Sequence, residues 1–383
     1  MNHYFEDDVL VLCLEGSINS NNVNDIEQEA RGLLDENNNP NYLFDAEKLE
    51  YISSAGLRFL LKLCKENGNS LTIRDVSSDV YEIFEVTGFN TFMTIKKKLR
   101  SVSIEGCPVL GVGSMGTVYQ IDQDTIIKVY EVVDKLDSIE NEVTKAKQAF
   151  LLGVPTAIPF DIVKVGDKYG AVFELIKAKN CNDYLVENLD KLDAVCKRYA
   201  DFIKTIHSVE ADGIDLPDIK EMYLDHLSDV KDLISDDLYG RILKLINSIP
   251  STDNIIHGDL QVRNVMISED EMILIDMDTL SHGNPIFEFG GLYMTYITFG
   301  VHEPENTKQF LNITNEESEK LFYTTLKYYF EGDAEDTFKE KLSTITALGL
   351  LRFLFLIGGL GIGTPELKDK RIKYCVDELE KLV

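Results

Sequence analysis

The first hundred residues alternate short apolar runs with segments of helical spacing. The strand-like runs are 9–14, 42–45 and 70–74, and the helical segments are 23–34, 52–64 and 78–86. A loop is expected between 45 and 52. Alternating strands and helices predict a small sheet covered by helices. A unit of this size, with no His, Cys or paired-acid cluster, is more typical of a binding or switching module than of an enzyme.

Beyond residue 100 the pattern predicts a larger unit in two parts. Strand-like segments at 101–104, 125–130 and 168–176 predict a sheet, with 101–104 as its first strand, and later segments such as 218–249 have helical spacing. The basic run 95–100 is interpreted as the lysine-rich end of a helix, or else as a segment that docks on an acidic surface. The predicted regions are 1–97, 98–176 and 177–383.

A glycine-rich segment precedes one of these strands. It has the GxGxxG spacing, which by itself also fits a dinucleotide-binding fold. Here the glycines continue into a β-branched and aromatic segment that predicts a hairpin, whereas the dinucleotide motif opens directly into a helix. Backbone N–H groups of such a hairpin can approach nucleotide phosphates. The predicted nucleotide-contacting residues in it are Gly111, Gly113, Ser114, Gly116 and Val118.

A lysine and a glutamate follow at the positions that this chemistry requires. Lys128 lies in the strand 125–130, where a lysine can neutralise the α and β phosphates. A glutamate on the next helix is needed to orient that lysine. Glu142 is our first choice for it and Glu140 the second.

The strongest chemical signal is the segment 257–264, which reads His-Gly-Asp-Leu-Gln-Val-Arg-Asn. Asp259 and Asn264 lie five residues apart, and Asp276 closes an apolar strand-like run twelve residues later. An Asp that activates a hydroxyl, together with an Asn and a second Asp that hold Mg²⁺, is what a nucleotide phosphotransferase requires. Together with the glycines and Lys128, this order of residues predicts phosphoryl transfer.

Composition limits the partners. The net charge is −28 at 383 residues, so nucleic acid and anionic membrane surfaces would be repelled. The acidity favours a soluble cytoplasmic protein, and it either attracts cationic acceptors or only maintains solubility. Six scattered cysteines have no metal-ligand spacing and predict reduced thiols. The N-terminal residues lack the features of a signal peptide, and the apolar stretch 347–362 predicts a buried helix.

On these motifs, residues 101–383 resemble the aminoglycoside phosphotransferase and choline kinase-like branch of the protein-kinase-like fold. The resemblance implies a bilobal α+β fold and Mg²⁺ with ATP or GTP as cofactors. It implies that Asp259 is the base for the acceptor hydroxyl, that Asn264 and Asp276 bind Mg²⁺, and that Lys128 holds the phosphates. The base would be bound by hinge backbone groups around Glu174 to Ile176, which leaves ATP versus GTP open.

Three departures from that family pattern affect the acceptor more than the chemistry. Gln261-Val262-Arg263 stands where the family often has His-Pro-Gly, and Met277 stands in place of an aromatic residue. Asp278 matches the second acid of the family, whereas Glu288 occupies the place of a later Asp. His207 is interpreted as a packing residue at a helix end.

The first 97 residues resemble a STAS domain of the anti-sigma-factor antagonist kind, an α/β fold. The resemblance rests on Asp45 at a strand end, on Ile-Ser-Ser-Ala-Gly-Leu at a helix start, and on the segment 82–89. It implies a protein partner and phosphorylation of Ser54. A phosphate there would gain from the helix dipole, but a Ser at this position also caps a helix, so both interpretations stay open.

Three functions are therefore considered. The first is an ATP-dependent phosphotransferase acting on a small-molecule or protein hydroxyl, coupled to a STAS signalling module. The second is a regulatory protein kinase whose acceptor is a STAS serine such as Ser54. The third is a non-catalytic nucleotide-binding scaffold, which the presence of all the catalytic elements disfavours.

Overall fold

The structure is a computed structural model that describes residues 1–37, 41–113, 116–131, 136–360 and 364–383. The chain divides into two compact units, Met1–Ser103 and Ile104–Val383. Ser114, one of the predicted nucleotide-contacting residues, lies outside the described residues.

The N-terminal unit is one sheet with helices packed on it. Its strands follow each other in the order β1-β2-β3-β4-β5, with β1 antiparallel to β2 and the remaining neighbours parallel. The core is apolar, because parallel strands covered by helices bury both faces. The strands are β1 (His3–Glu6), β2 (Val9–Ile18), β3 (Tyr42–Ile52), β4 (Thr72–Val76) and β5 (Thr94–Lys97), and the helices are α1 (Val23–Asn37), α2 (Ser54–Glu66) and α3 (Ser78–Val86).

The predicted loop between 45 and 52 is wrong, because β3 runs through it to Ile52. Its polar residues pair with the end of β2, in the register Glu15 with Lys48 and Gly16 with Leu49. Gly16 has a φ of +63°, and register shifts on both sides of it let β2 continue to Ile18. Backbone pairing with a neighbour therefore extends the strand where side-chain hydrophobicity gives no signal.

Two expectations at the junction are also wrong. The basic run is not a helix end, because Thr94–Lys97 forms β5, parallel to β4. Residues 102–104 form no strand, and Ser101 makes only an isolated bridge. Charged side chains suit β5 because it is an edge strand, where lysines discourage pairing with other chains.

The C-terminal unit begins with an antiparallel sheet in the order β6-β7-β8-β10-β9. The predicted hairpin is present, as β6 pairs with β7 and β7 with β8. Gly116 opens β7 at a point where a Cβ would meet the carbonyl oxygen of Val129 at 2.2 Å, so only glycine fits. The elements are β6 (Val109–Val112), β7 (Gly116–Gln120), β8 (Thr125–Tyr130), α4 (Leu136–Leu151), β9 (Pro159–Val165) and β10 (Lys168–Glu174).

The remainder of this unit is helical, with α9 packed between α11 and α12. A three-stranded sheet, β11-β13-β14, and a strand pair, β12-β15, lie among the helices. The helices are α5 (Cys181–Glu187), α6 (Leu192–His207), α7 (Ile219–Asp229), α8 (Asp236–Ser248), α9 (Ile286–Tyr296), α10 (Glu305–Leu311), α11 (Asn315–Tyr329), α12 (Glu335–Leu354) and α13 (Pro365–Leu382). The strands are β11 (Lys179–Asn180), β12 (Ile255–Ile256), β13 (Val265–Ile267), β14 (Met272–Leu274) and β15 (Ser281–His282).

In the part of the chain that the structure describes, one helical segment, Glu335–Gly359, is long and apolar enough to cross a membrane. Half of its apolar 18-residue stretch is buried. Gly349 lies so close to the ring of Tyr293 on α9 that a Cβ would meet it at 2.5 Å. Packing against α9 accounts for the apolar face of α12.

Candidate active site

A hairpin brings together the two predicted metal ligands. Strands β13 and β14 are antiparallel, with Val265 opposite Leu274. Asn264 precedes the first strand and Asp276 follows the second, so both lie at the same end. The N–H of Ile275 donates to the carbonyl oxygen of Asn264 at 3.0 Å, which fixes that end. Asn264 and Asp276, twelve positions apart in sequence, are therefore close neighbours in space.

The loop before this hairpin positions Asp259. The amide nitrogen of Asn264 donates to the carbonyl oxygen of Asp259 at 2.8 Å and to its carboxylate at 3.0 Å. Gly258 has a φ of +83°, and a Cβ on it would meet the carbonyl oxygen of Thr279 at 2.7 Å. The loop needs a glycine there. Asn264 thus orients the carboxylate of Asp259.

Lys128 connects the sheet with the hairpin. It projects from β8 between the buried Ile127 and Val129, and its Nζ lies 2.8 Å from Glu142 Oε1 and 2.8 Å from Asp276 Oδ1. Burial by itself lowers the pKa of Lys128, but the two carboxylates outweigh this effect and raise it overall. Lys128 is therefore held as an ammonium ion.

Glu142 is the partner that helix α4 supplies to this lysine. Its other carboxylate oxygen accepts a hydrogen bond from the Tyr130 hydroxyl at 2.9 Å. Glu142 is 6% exposed and lies on the same face of α4 as Ile139 and Ala146. Both oxygens of the carboxylate are therefore fixed by a partner.

Asp276 has an unusual backbone. Its φ of +67° is in the left-handed region, which Asp tolerates better than most residues but which still costs of order 1 kcal/mol. Asp278, two residues on, has its pKa raised by burial and by the nearby charge of Asp276. The segment 276–278 therefore places two acidic side chains close to each other and to Lys128.

A second lysine, which sequence reasoning missed, balances this charge. Lys145 lies one helical turn after Glu142, is 7% exposed, and donates from Nζ to the carbonyl oxygen of Asp278 at 3.0 Å. Burial lowers its pKa, and Asp278 opposes that shift. Its spacing of three residues from Glu142 places it on the same helix face, which was the only available signal.

Glu288 also has a larger role than its sequence position indicated. This fully buried residue of α9 accepts hydrogen bonds from the backbone N–H groups of His257 at 2.7 Å, Gly258 at 3.2 Å and Leu260 at 3.3 Å. His207 Nε2 lies 3.7 Å away. Burial would raise the pKa of Glu288, but its hydrogen bonds and the two histidines lower it overall. The carboxylate anchors the loop that carries Asp259.

The histidine of this loop has a defined tautomer. The N–H of Asp259 donates to His257 Nδ1 at 3.3 Å, so Nε2 carries the hydrogen and donates to the carbonyl oxygen of Ile275 at 3.3 Å. His257 thereby joins the loop to the hairpin between Asn264 and Asp276. His207, at the end of α6, bonds through Nδ1 to the Tyr329 hydroxyl at 2.9 Å, which fits its predicted packing role.

The hinge after β10 is held by backbone bonds. The N–H of Glu174 donates to the carbonyl oxygen of Ile158 at 3.0 Å, and that of Leu175 donates to Asp124 at 2.7 Å. These bonds fix the chain up to Leu175, the residue before Ile176. Of the glycine segment, Gly111 is in β6, Gly113 donates its N–H to the carbonyl oxygen of Gly116, and Val118 lies opposite Lys128.

The donor set fits Mg²⁺. Carboxylate and amide oxygens are the ligands this ion prefers, and it usually takes only one or two carboxylates together with substrate phosphates and water. Because the amide nitrogen of Asn264 is used by Asp259, its amide oxygen is the atom left for a cation. Among the described residues, no group of three or more His, Cys, Asp or Glu side chains is arranged to hold a metal.

In the N-terminal unit, Ser53 and Ser54 have different environments. Ser53 caps α2, as its hydroxyl accepts hydrogen bonds from the N–H groups of Ala55 at 3.2 Å and Gly56 at 3.5 Å. Ser54 is exposed, and its hydroxyl accepts a bond from Arg58 at 3.3 Å. The capping role therefore belongs to Ser53, which leaves the hydroxyl of Ser54 accessible.

Comparison with known families matches the two parts of the chain to two different families. Residues 108–320, more than half of the chain, match the phosphotransferase enzyme family, and residues 1–99 match the family described as Mlab, STAS domain. The N-terminal region is also 35% identical over 86 residues to BtrV of Bordetella bronchiseptica, a candidate anti-sigma factor antagonist. That match covers 22% of this chain and 73% of BtrV.

A solved structure shares the kinase-like fold of the larger unit. The ADP-bound aminoglycoside phosphotransferase APH(2″)-Ib is 16% identical, with a TM-score of 0.50 over 79% of this chain and 99% of that one. A choline/ethanolamine kinase family protein from Mesorhizobium loti is 14% identical, with a TM-score of 0.49 over 72% of this chain and 89% of that one. The predicted combination of a STAS-like α/β unit with a kinase-like fold is confirmed, and the chain belongs to the phosphotransferase enzyme family, with a STAS domain at its N-terminus.

Proposed function

We propose that this protein is an ATP-dependent phosphotransferase that transfers the γ-phosphate to a hydroxyl group. The observation that carries the proposal is the position of Lys128, which lies 2.8 Å from both Glu142 and Asp276. A lysine held as a cation between the helix glutamate and the hairpin carboxylate is the arrangement that phosphoryl transfer uses. Family membership supports the reaction class.

In this proposal Asp259 accepts the proton of the acceptor hydroxyl as the bond to phosphorus forms. Asn264 keeps that carboxylate in place through its 3.0 Å hydrogen bond. Lys128 stabilises the negative charge of the phosphates, and Glu142 fixes the lysine. Mg²⁺, held by Asn264 and Asp276, would neutralise charge that develops on the phosphate oxygens.

The nucleotide would lie between the glycine hairpin and the hinge. Gly111, Gly113, Gly116 and Val118 would cover the phosphates, and backbone groups of Glu174 and Ile176 would bind the base. Because backbone groups rather than side chains would read the base, both ATP and GTP remain candidates. The ADP-bound neighbour has the same fold, which supports a nucleotide site of this kind.

The STAS domain would couple this reaction to a signalling partner. It resembles a candidate anti-sigma factor antagonist over most of that protein's length. The acidic chain would be repelled by nucleic acid and by anionic membranes, so we propose a protein partner and a cytoplasmic setting.

A regulatory protein kinase that phosphorylates a STAS serine is the second candidate function. The observation that favours it is the exposure of Ser54 at the start of α2, with Ser53 supplying the cap instead. A phosphate on Ser54 would lie at the positive end of the helix and beside Arg58. Both effects would stabilise the modified form.

One experiment separates these functions. The purified full chain is incubated with Mg²⁺ and labelled ATP, and intact mass is compared for wild type, Asp259→Ala, Asp276→Asn and Ser54→Ala. A mass gain of one phosphate that is lost in both Asp259→Ala and Ser54→Ala would support modification of Ser54.

The other outcomes are equally distinct. Turnover that requires an added metabolite pool, with no gain of protein mass, would identify a small-molecule acceptor. If the wild-type protein neither binds nor hydrolyses nucleotide, the proposal is wrong. If it binds nucleotide but transfers no phosphate to any acceptor or to water, the non-catalytic nucleotide-binding scaffold replaces the proposal.

A further inference from the structure

The loop that carries Asp259 contains a buried hydrogen-bond donor, the backbone N–H of Val262. It is present because this chain departs from the family pattern at residue 262. The related family often has proline at this place, and proline has no N–H. Val262 is fully buried, and its N–H donates to the Tyr296 hydroxyl on α9 at 2.9 Å. Without that hydroxyl the N–H would be a buried donor with no acceptor, which is strongly unfavourable.

A second buried tyrosine completes the arrangement. Tyr199 on α6 donates its hydroxyl hydrogen to the carbonyl oxygen of Leu260. The Tyr296 hydroxyl therefore accepts from the N–H of Val262, and the Tyr199 hydroxyl donates to the carbonyl oxygen of Leu260.

These two bonds hold the backbone on both sides of Gln261, within three residues of Asp259. Tyr199 is 0% exposed and Tyr296 is 2% exposed, so water does not compete for these bonds. Glu288 holds the loop before and at Leu260, and the two tyrosines hold it from Leu260 onward. The loop is therefore fixed along its length by side chains from α6 and α9.

The local backbone is also compatible with proline. Val262 is the first residue of a short 3-10 turn, where proline is well tolerated. Gln261 before it has φ −92° and ψ 157°, the extended conformation that a residue preceding proline requires. Valine therefore occupies a site where proline would fit, and the N–H it adds is the one that Tyr296 accepts.

We propose that Tyr296 and Tyr199 are positioning residues for the proposed phosphoryl transfer, and that they replace the rigidity which proline gives the loop in relatives. They act through the backbone of 260–262 and do not touch the reacting groups. The inference rests on the proposed function for its kinetic consequence, but the hydrogen-bond arrangement is testable without it.

The test compares Tyr296→Phe, Val262→Pro and the double variant in the full chain, using Mg²⁺-dependent ATP hydrolysis. Tyr296→Phe should lower kcat about tenfold or more, with KM for ATP within about twofold, because the loop and not the nucleotide site is disturbed. In the double variant no donor remains at residue 262. Its kcat should return to within about threefold of Val262→Pro alone.

The matched control is Tyr293→Phe, one turn earlier on the same helix. Tyr293 is also buried, and its ring packs against Phe322 on α11 and Gly349 on α12. Removal of its hydroxyl should leave kcat within about twofold. A kcat in Tyr296→Phe equal to that of Tyr293→Phe, or losses that simply multiply in the double variant, would overturn the proposal.

Hydrogen exchange tests whether Tyr296 positions the loop, and it does so independently of activity. The amides of 257–264 should exchange about tenfold faster or more in Tyr296→Phe than in wild type and Tyr293→Phe. Equal exchange in the three proteins would contradict the proposal, even if the wild type turned over no ATP. If the wild type turned over no ATP but exchange were faster in Tyr296→Phe, the proposed function would be rejected. The positioning of the loop by Tyr296 would still hold.

Discussion

The two units of this protein bury different kinds of side chain. In the described part of residues 1–103 the buried side chains are apolar, and of the two polar groups of interest Ser53 is half-buried and Ser54 is exposed. The C-terminal unit instead buries charged and polar groups that bond to one another. These include Glu142, Lys145, His207, His257, Asn264 and Glu288.

This difference shows where function and stability are linked. A buried charge that loses its partner is costly, whereas an exposed hydroxyl contributes little to folding. In the C-terminal unit the groups that position Asp259 also hold the fold together. In the N-terminal unit the candidate switch can change without disturbing the core, which suits a site of reversible modification.

The largest effect is expected for Glu288→Ala. It leaves the N–H groups of His257, Gly258 and Leu260 without their acceptor, and we expect a loss of about 3–5 kcal/mol in the free energy of unfolding of the C-terminal unit. Hydrogen exchange in increasing denaturant measures the two units separately. Exposed Glu269→Ala is the control. A loss below about 1 kcal/mol would break the proposed link between loop and fold.

Glu142→Gln should have the next largest effect, and Glu140→Gln is its matched control on the same helix. Gln keeps the shape but removes the charge that fixes Lys128. We expect kcat/KM for ATP to fall about 10- to 100-fold in Glu142→Gln, and to stay within about twofold in Glu140→Gln. The reverse ranking would show that the other glutamate orients the lysine.

A buried histidine should make the stability of the C-terminal unit depend on pH. The ring of His226 stacks on that of Phe355, with 3.9 Å between the ring centroids. Burial, and to a smaller extent the charge of Arg352, lowers the pKa of His226 to about 4. The unfolded chain binds this proton more tightly, so stability should be full above about pH 6.5 and fall as the pH drops towards 4. We expect a loss of about 1–2 kcal/mol. An unchanged pH dependence in His226→Gln would contradict this assignment.

The smallest effects are expected at the start of α2. Ser53→Ala removes a helix cap and should cost about 1 kcal/mol, whereas Ser54→Ala should change stability by less than about 0.5 kcal/mol. Neither change should alter ATP hydrolysis by the C-terminal unit. Hydrogen exchange of the amides of 54–66 in increasing denaturant measures the stability cost of each substitution. Equal costs at the two serines would mean that Ser54 also supports the fold.

Sequence reasoning located the residues whose chemistry depends on local spacing. Asp259, Asn264 and Asp276 fall within eighteen residues, and a two-stranded hairpin is enough to bring the last two together. The pairing of Lys128 with Glu142 needs only a strand followed by a helix. In each case the contact is encoded over a short stretch of chain.

Contacts between distant segments were not predictable in this way. The bond from Lys145 to Asp278 spans 133 residues, and the bonds from Glu288 to the loop depend on how α9 packs. No local pattern marks either residue as part of the site. Similarly, β3 continues through polar residues because β2 pairs with them, which hydrophobicity alone does not reveal.

The central claim is that Asp259 activates a hydroxyl for phosphoryl transfer, and Asp259→Asn tests it most directly. Nucleotide binding and release of labelled γ-phosphate are measured for the full chain with Mg²⁺ and ATP. We predict that the variant keeps the affinity of wild type for the nucleotide while its turnover falls about 10²- to 10⁴-fold. Turnover in Asp259→Asn equal to that of wild type, or no turnover in either protein, would contradict the account.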